Sequence, residues 1–127
     1  MKIIYSNNAP EAIGPYSQAI RTGNLLYCSG QTPIDPTTMK IVSTDVKEQT
    51  TRAILNLKVV LEEAGLNLSN IIKMNVYLTN MENFPQMNEA YAICLGSHRP
   101  ARTTVAVLGL PYNALVEIEC IAEFNEN

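Results

Sequence analysis

The chain has 127 residues, of which 46% are hydrophobic and 17% charged, and its formal net charge is −3. This is a globular balance in a length that can bury a core, which excludes a disordered chain. The nine Lys and Arg residues lie scattered from Lys2 to Arg102 without forming a run, so a surface built to neutralise nucleic-acid phosphates is not expected.

The opening "MKIIYSNNAP" holds too short an apolar run for a secretion signal, although "KIIYS" reads as a short strand. No stretch approaches the roughly 18 apolar residues that cross a membrane, so a cytoplasmic protein without membrane contact is expected. "QAIRTGNLLYCSG" reads as a hairpin around Thr22-Gly23-Asn24. The near-continuous apolar run in "NLLYCSG" predicts a strand covered on both sides. Pro33 and Pro36 make "QTPIDPTT" a loop.

From Asp45 the period changes. Asp45 and Glu48 have capping-box spacing, Ile54, Leu57, Leu61 and Ala64 recur every three or four residues, and Gly65 follows. A helix over residues 46–64 is predicted. "NIIKMNVYLT" (70–79) reads as a strand. "MENFPQMNEAYAICLG" reads as a second helix, with Pro85 tolerable only in its first turn. "RTTVAV" and "ALVEIECIAEF" are the last two strands.

The order predicts one α+β domain over 1–127, a mixed sheet with two helices on one face. Two helices cover only one side of a sheet, so the other side calls for a second copy of the chain. Cys28, Cys94 and Cys120 are odd in number and lack CxxC spacing, which suits reduced core thiols. With His98 as the one histidine, neither a metal site nor a Cys-His nucleophile is expected.

In "VEIECIAEF" alternation places Glu117, Glu119, Ile121 and Glu123 on one face. Such a row is either a solvated acidic face or, if a partner covers it, a set of carboxylates needing a cation or a task. Arg102, at the entrance of a strand that needs no cation, is the candidate neighbour.

"AIGPYSQA", "CSGQTP", "MNEAY", "RPART" and "VEIECIA", in this order across the whole chain, resemble the reactive intermediate deaminase family (RidA, formerly YjgF). The resemblance implies a chorismate-mutase-like fold and a homotrimer with a site in each cleft between neighbouring subunits. It also implies hydrolysis of 2-imino acids such as 2-iminobutanoate and 2-iminopropanoate to 2-oxo acid and ammonia. By position, the family's carboxylate-binding arginine falls on Arg102 and its catalytic glutamate on Glu119. Its pocket tyrosine falls on Tyr16, its Ser-Gly pair on Ser29 and Gly30, and its helix asparagine on Asn88. Many members read PARSCV where this chain reads Pro100-Ala101-Arg102-Thr103-Thr104-Val105, so Thr104 replaces a cysteine and only a backbone contact to substrate survives there.

The chemistry fits these residue types. A guanidinium grips a carboxylate through two parallel hydrogen bonds, and a glutamate can take a proton from water and return it to the departing amine. No metal, nucleotide or other cofactor is called for. Two other readings stay open. The protein could be a non-enzymatic trimer that binds small 2-oxo acids in the same arginine cleft for regulation, or it could cleave RNA, an activity attributed to some relatives.

Overall fold

The computed structural model describes residues 1–125. Six strands and two α-helices follow one another as β1 (Lys2–Ile4), β2 (Ala19–Thr22), β3 (Leu25–Gln31), α1 (Val46–Glu63), β4 (Ile71–Leu78), α2 (Phe84–Leu95), β5 (Ala101–Ala106) and β6 (Val116–Glu123). The strands form one mixed sheet in the order β1-β2-β3-β6-β4-β5. Only β4 and β5 pair in parallel, and α2 supplies the crossover that such a pair requires. The last strand, β6, is inserted between β3 and β4 and pairs antiparallel with both. None of the described helices is long and apolar enough to cross a membrane.

Helix α1 starts where its capping residue predicts. The Asp45 carboxylate accepts from the Glu48 backbone N–H at 3.0 Å. The reciprocal half of the expected capping box does not form, because the Asp45 N–H donates instead to Ser43 Oγ. Ile54, Leu57 and Leu61 are fully buried on the sheet, while Ala64 is already the C-cap and Gly65 turns the chain out at φ 81°. The second helix starts later than predicted. Met81–Asn83 form a 3₁₀ turn, and the α-helix begins at Phe84, because Pro85 has no N–H to donate to Met81.

Both helices lie on one face of the sheet, where Leu26, Met74, Val76, Leu78, Val116 and Ile118 are buried. The expectation of a β3 strand covered on both sides does not hold within one chain. Leu26 and Cys28 face the helices, but Tyr27 between them is 46% exposed on the other face. There the register aligns Ile3, Ile20, Tyr27 and Ile121 in one cross-strand row. Among the described residues the row stays open, with Ile3 and Tyr27 exposed and Ile20 and Ile121 half-buried.

Three buried amides tie the loops to this frame. Gln18 accepts from Ser6 N and donates to the carbonyls of Ser6 and Pro10, holding the segment that carries Tyr16. From α1, Asn56 donates to the carbonyls of Thr32 and Ile34. Gln49 accepts from Leu115 N just before β6 and donates to the Ser43 carbonyl.

Candidate active site

The predicted residues gather in two places. On the open side of the sheet, Tyr16, Gly30, Tyr112 and Glu117 line a hollow of about 70 Å³ together with parts of the N-terminal loop. Gly14, at φ 131°, adopts a conformation that favours glycine, and the Tyr16 N–H returns to the Gly14 carbonyl at 2.9 Å. Gly30 sits at an irregularity in the β3–β6 ladder, between the pairs Cys28–Cys120 and Gln31–Ile118. A Cβ there would stand 3.1 Å from Cδ of Glu117, so the glycine lets that carboxyl lie against the backbone. Burial pushes the Glu117 pKa up, and the neighbouring Glu119 carboxylate adds to the rise.

Glu119 shares this sheet face but does not line the hollow. Its carboxylate accepts a hydrogen bond from the Tyr77 hydroxyl. That bond, with burial and the charges of Glu119 and Glu117, raises the Tyr77 pKa to about 12. Ser29 is also outside the hollow. Its hydroxyl donates to the Ser17 carbonyl at 2.6 Å and its N–H to the Gln18 carbonyl, so it braces the Tyr16 loop.

Arg102 lies on the other side of the sheet. Met74, which faces the helices, pairs with Arg102 on one flank and Cys120 on the other, whereas Asn75 pairs with Glu119. The cation and both glutamates therefore project from opposite faces, with β4 between them. Within one chain, Arg102 and Glu119 are not brought together. The half-buried guanidinium donates to Asn88 Oδ1 at 2.7 Å, and its carbon stands 4.7 Å from the Tyr91 ring centre and 5.5 Å from that of Phe84. It opens into a hollow of about 480 Å³ lined by Asn88, Tyr91, Ala92, Arg99, Pro100 and Arg102. Thr104 is on the same face one pleat along, outside that lining, and its buried Oγ1 has no hydrogen-bond partner among the described residues.

The two hollows are opposite in charge. The lining of the first includes Glu11 and Glu117 but no Lys or Arg. The lining of the second includes Arg99 and Arg102 but no Asp or Glu. Among the described residues, no three His, Cys, Asp or Glu side chains gather so as to hold a metal ion. Tyr112 and Tyr77 lie outside the family motifs, and Arg99 and Tyr91 lie inside "RPART" and "MNEAY" without a role assigned from sequence. Tyr112 adopts φ 61°, a left-handed conformation that pattern alone does not reveal.

Residues 6–124 match the protein-family model described as endoribonuclease L-PSP. The chain belongs to the YjgF/RidA family. This family supports RidA-type imine deaminase chemistry at the level of the family. A RutC family protein of Pyrococcus horikoshii is 50% identical over 121 residues, covering 95% of this chain and 96% of that one. The 2-iminobutanoate/2-iminopropanoate deaminase of Dermatophagoides farinae is 40% identical over 120 residues, covering 94% of each chain. Among solved structures, E. coli TdcF with bound serine has a TM-score of 0.94 at 38% identity, covering 98% of this chain and 100% of that chain.

Proposed function

We propose that this RidA-family chain is a hydrolytic deaminase of small 2-imino acids, with a site built between copies of the chain. The observation that carries this reading is the charge separation of the hollows: guanidiniums without a carboxylate on one face, the half-buried Glu117 carboxylate without a cation on the other. A second copy can set its Tyr16–Glu117 hollow against the Arg102–Asn88 hollow of the first, and the uncovered Ile3–Ile20–Tyr27–Ile121 row gives apolar surface for the contact. The contact joins unlike surfaces, which gives a ring where the rotation closes, and we take that ring to be the homotrimer that the family resemblance implies.

In this site the Arg102 fork binds the substrate carboxylate, held in plane by Asn88. Glu117 takes a proton from the water attacking the C=N carbon, while the π pair moves to nitrogen. Glu117 hands that proton to the nitrogen to give the neutral carbinolamine. It then takes the hydroxyl proton and passes it to the amine as C=O forms and the C–N pair leaves with nitrogen, so imine and water give 2-oxo acid and ammonia. We assign this role to Glu117 and not to Glu119, because Glu117 borders the hollow with Tyr16 and Gly30, whereas Glu119 is held by Tyr77. Tyr16 can donate to the carboxylate or the imine nitrogen.

Mixing tests the shared site directly. Arg102→Ala and Glu117→Gln proteins, each impaired alone, are unfolded together at equal amounts and refolded. Random assembly into rings gives about one-quarter of junctions with both residues intact, so about that fraction of wild-type deamination of freshly generated 2-iminobutanoate is expected. No recovery over the separate proteins would place both residues in one chain's site and sink the inter-copy arrangement.

The acid limb of the kcat/KM profile distinguishes the two glutamates. Glu117 must be ionised to act, and its raised pKa puts that limb above the ordinary value of 4.5. Glu119→Gln removes a like charge but not the burial, so the limb moves to lower pH with activity retained. Loss of activity without a shifted limb would return the catalytic role to Glu119. The same turnover assay separates the deaminase from a regulatory 2-oxo-acid binder.

A further inference from the structure

We propose that Arg99 makes the guanidinium hollow selective for dicarboxylic 2-imino acids, Arg102 taking the reacting end and Arg99 the side-chain carboxylate. This rests on the deaminase reading above, and it names the substrate class for the same site.

Arg99 is placed by the end of α2. Gly96 turns the chain at φ 62°, and Arg99 Nη1 donates to the carbonyls of Gly96 and His98. A cap at a helix C-terminus explains those two bonds. It does not explain the rest of the group. The same guanidinium lines the hollow into which Arg102 opens, with its Nε and Nη2 donors making no hydrogen bond to the described residues. Arg99 is exposed and Arg102 half-buried, and no Asp or Glu lines their hollow, so its two positive charges are complementary to an anionic ligand. The single carboxylate of 2-iminobutanoate engages Arg102 and leaves Arg99 facing an ethyl group. A second carboxylate fills that place.

Tyr91 points the same way. The residue is only 5% exposed, yet its hydroxyl has no hydrogen-bond partner among the described residues. Burial raises its pKa, and both Arg102 and Arg99 act in the opposite direction. Arg102 stands beside the hydroxyl without the alignment of a full hydrogen bond. The hydroxyl is sealed behind the wall of the hollow, so it acts as an unpaired donor dipole in the field of both cations that an added acceptor oxygen would reach only after a small side-chain shift.

Binding and turnover test this separately. Calorimetry on the intact assembly compares 2-oxoglutarate with 2-oxobutanoate as stable product-like probes. Turnover compares 2-iminoglutarate with 2-iminobutanoate, each generated in the cuvette by an amino-acid oxidase. Wild type is expected to bind the dicarboxylate about ten- to a hundredfold more tightly, the worth of one charge-assisted contact. Arg99→Gln should collapse that ratio, and Arg99→Lys should restore most of it. Equal Kd values for the two probes in wild type, or a ratio untouched by Arg99→Gln, overturns the proposal. A kept binding preference without turnover of either imino acid overturns the deaminase reading and leaves the dicarboxylate site standing.

Discussion

Glu117→Gln is expected to lower kcat for 2-iminobutanoate hydrolysis by about 10²- to 10⁴-fold, the usual worth of a positioned general base. The amide keeps the size of the carboxyl that lies against Gly30, so the hollow keeps its shape, but it cannot accept a proton from water. KM should move little, since the binding charge is on the opposite hollow. Stability should move the other way. The pKa of Glu117 is raised in the folded chain, by burial first and Glu119 second, so the folded state holds the proton more tightly than the unfolded one. The group's contribution is fully present below the ordinary value of 4.5 and is lost as pH rises through the folded value. At neutral pH the ionised side chain therefore costs stability, and glutamine removes that cost. Oxo-acid release and calorimetric Tm at pH 7 check both halves. A variant that turns over at the wild-type rate removes Glu117 from the mechanism.

Arg102→Ala is expected to lower kcat/KM by about ten- to a hundredfold, corresponding to one lost charge-assisted contact. The side chain also packs over Tyr91 and Phe84, so alanine alone confounds binding with packing. Arg102→Lys separates them. Lysine keeps the charge but not the planar fork that bonds Asn88 and stacks on the rings, so it should recover little of the loss. Circular dichroism and sedimentation of both variants establish that they fold and assemble. Wild-type kcat/KM in a correctly assembled Arg102→Ala protein would end the carboxylate-clamp assignment.

Several parts of this molecule were legible before any coordinates. The three- and four-residue spacing of Ile54, Leu57 and Leu61, closed by Asp45 and Gly65, marks α1 because helix burial is a local, periodic demand. Alternation in "VEIECIAEF" marks β6 for the same reason, and it correctly puts Glu117 and Glu119 on the face away from the helices. The motifs shared with the RidA family also pointed to Arg102, Tyr16, Gly30 and Asn88, and the structure places each of these at one of the two hollows.

Alternation cannot rank two glutamates that share a face. What sets them apart is the irregularity between Cys28 and Gln31, which brings Gly30 against Glu117, and the reach of Tyr77 from β4 to Glu119. Both contacts join segments far apart in the chain. The same holds for the amides Gln18, Gln49 and Asn56, ordinary polar residues in the sequence whose burial appears only when distant loops close over them.

Local periodicity and capping chemistry thus determined the helices, the strands and the outward face of β6 from sequence alone, since each depends on neighbours within a few residues. Tertiary structure alone decided that β6 enters the middle of the sheet and that Arg102 faces away from both glutamates. Strand order and register are set by long-range pairing, and a shift of one residue turns a side chain to the opposite face. That pairing splits the candidate site into two hollows of opposite charge.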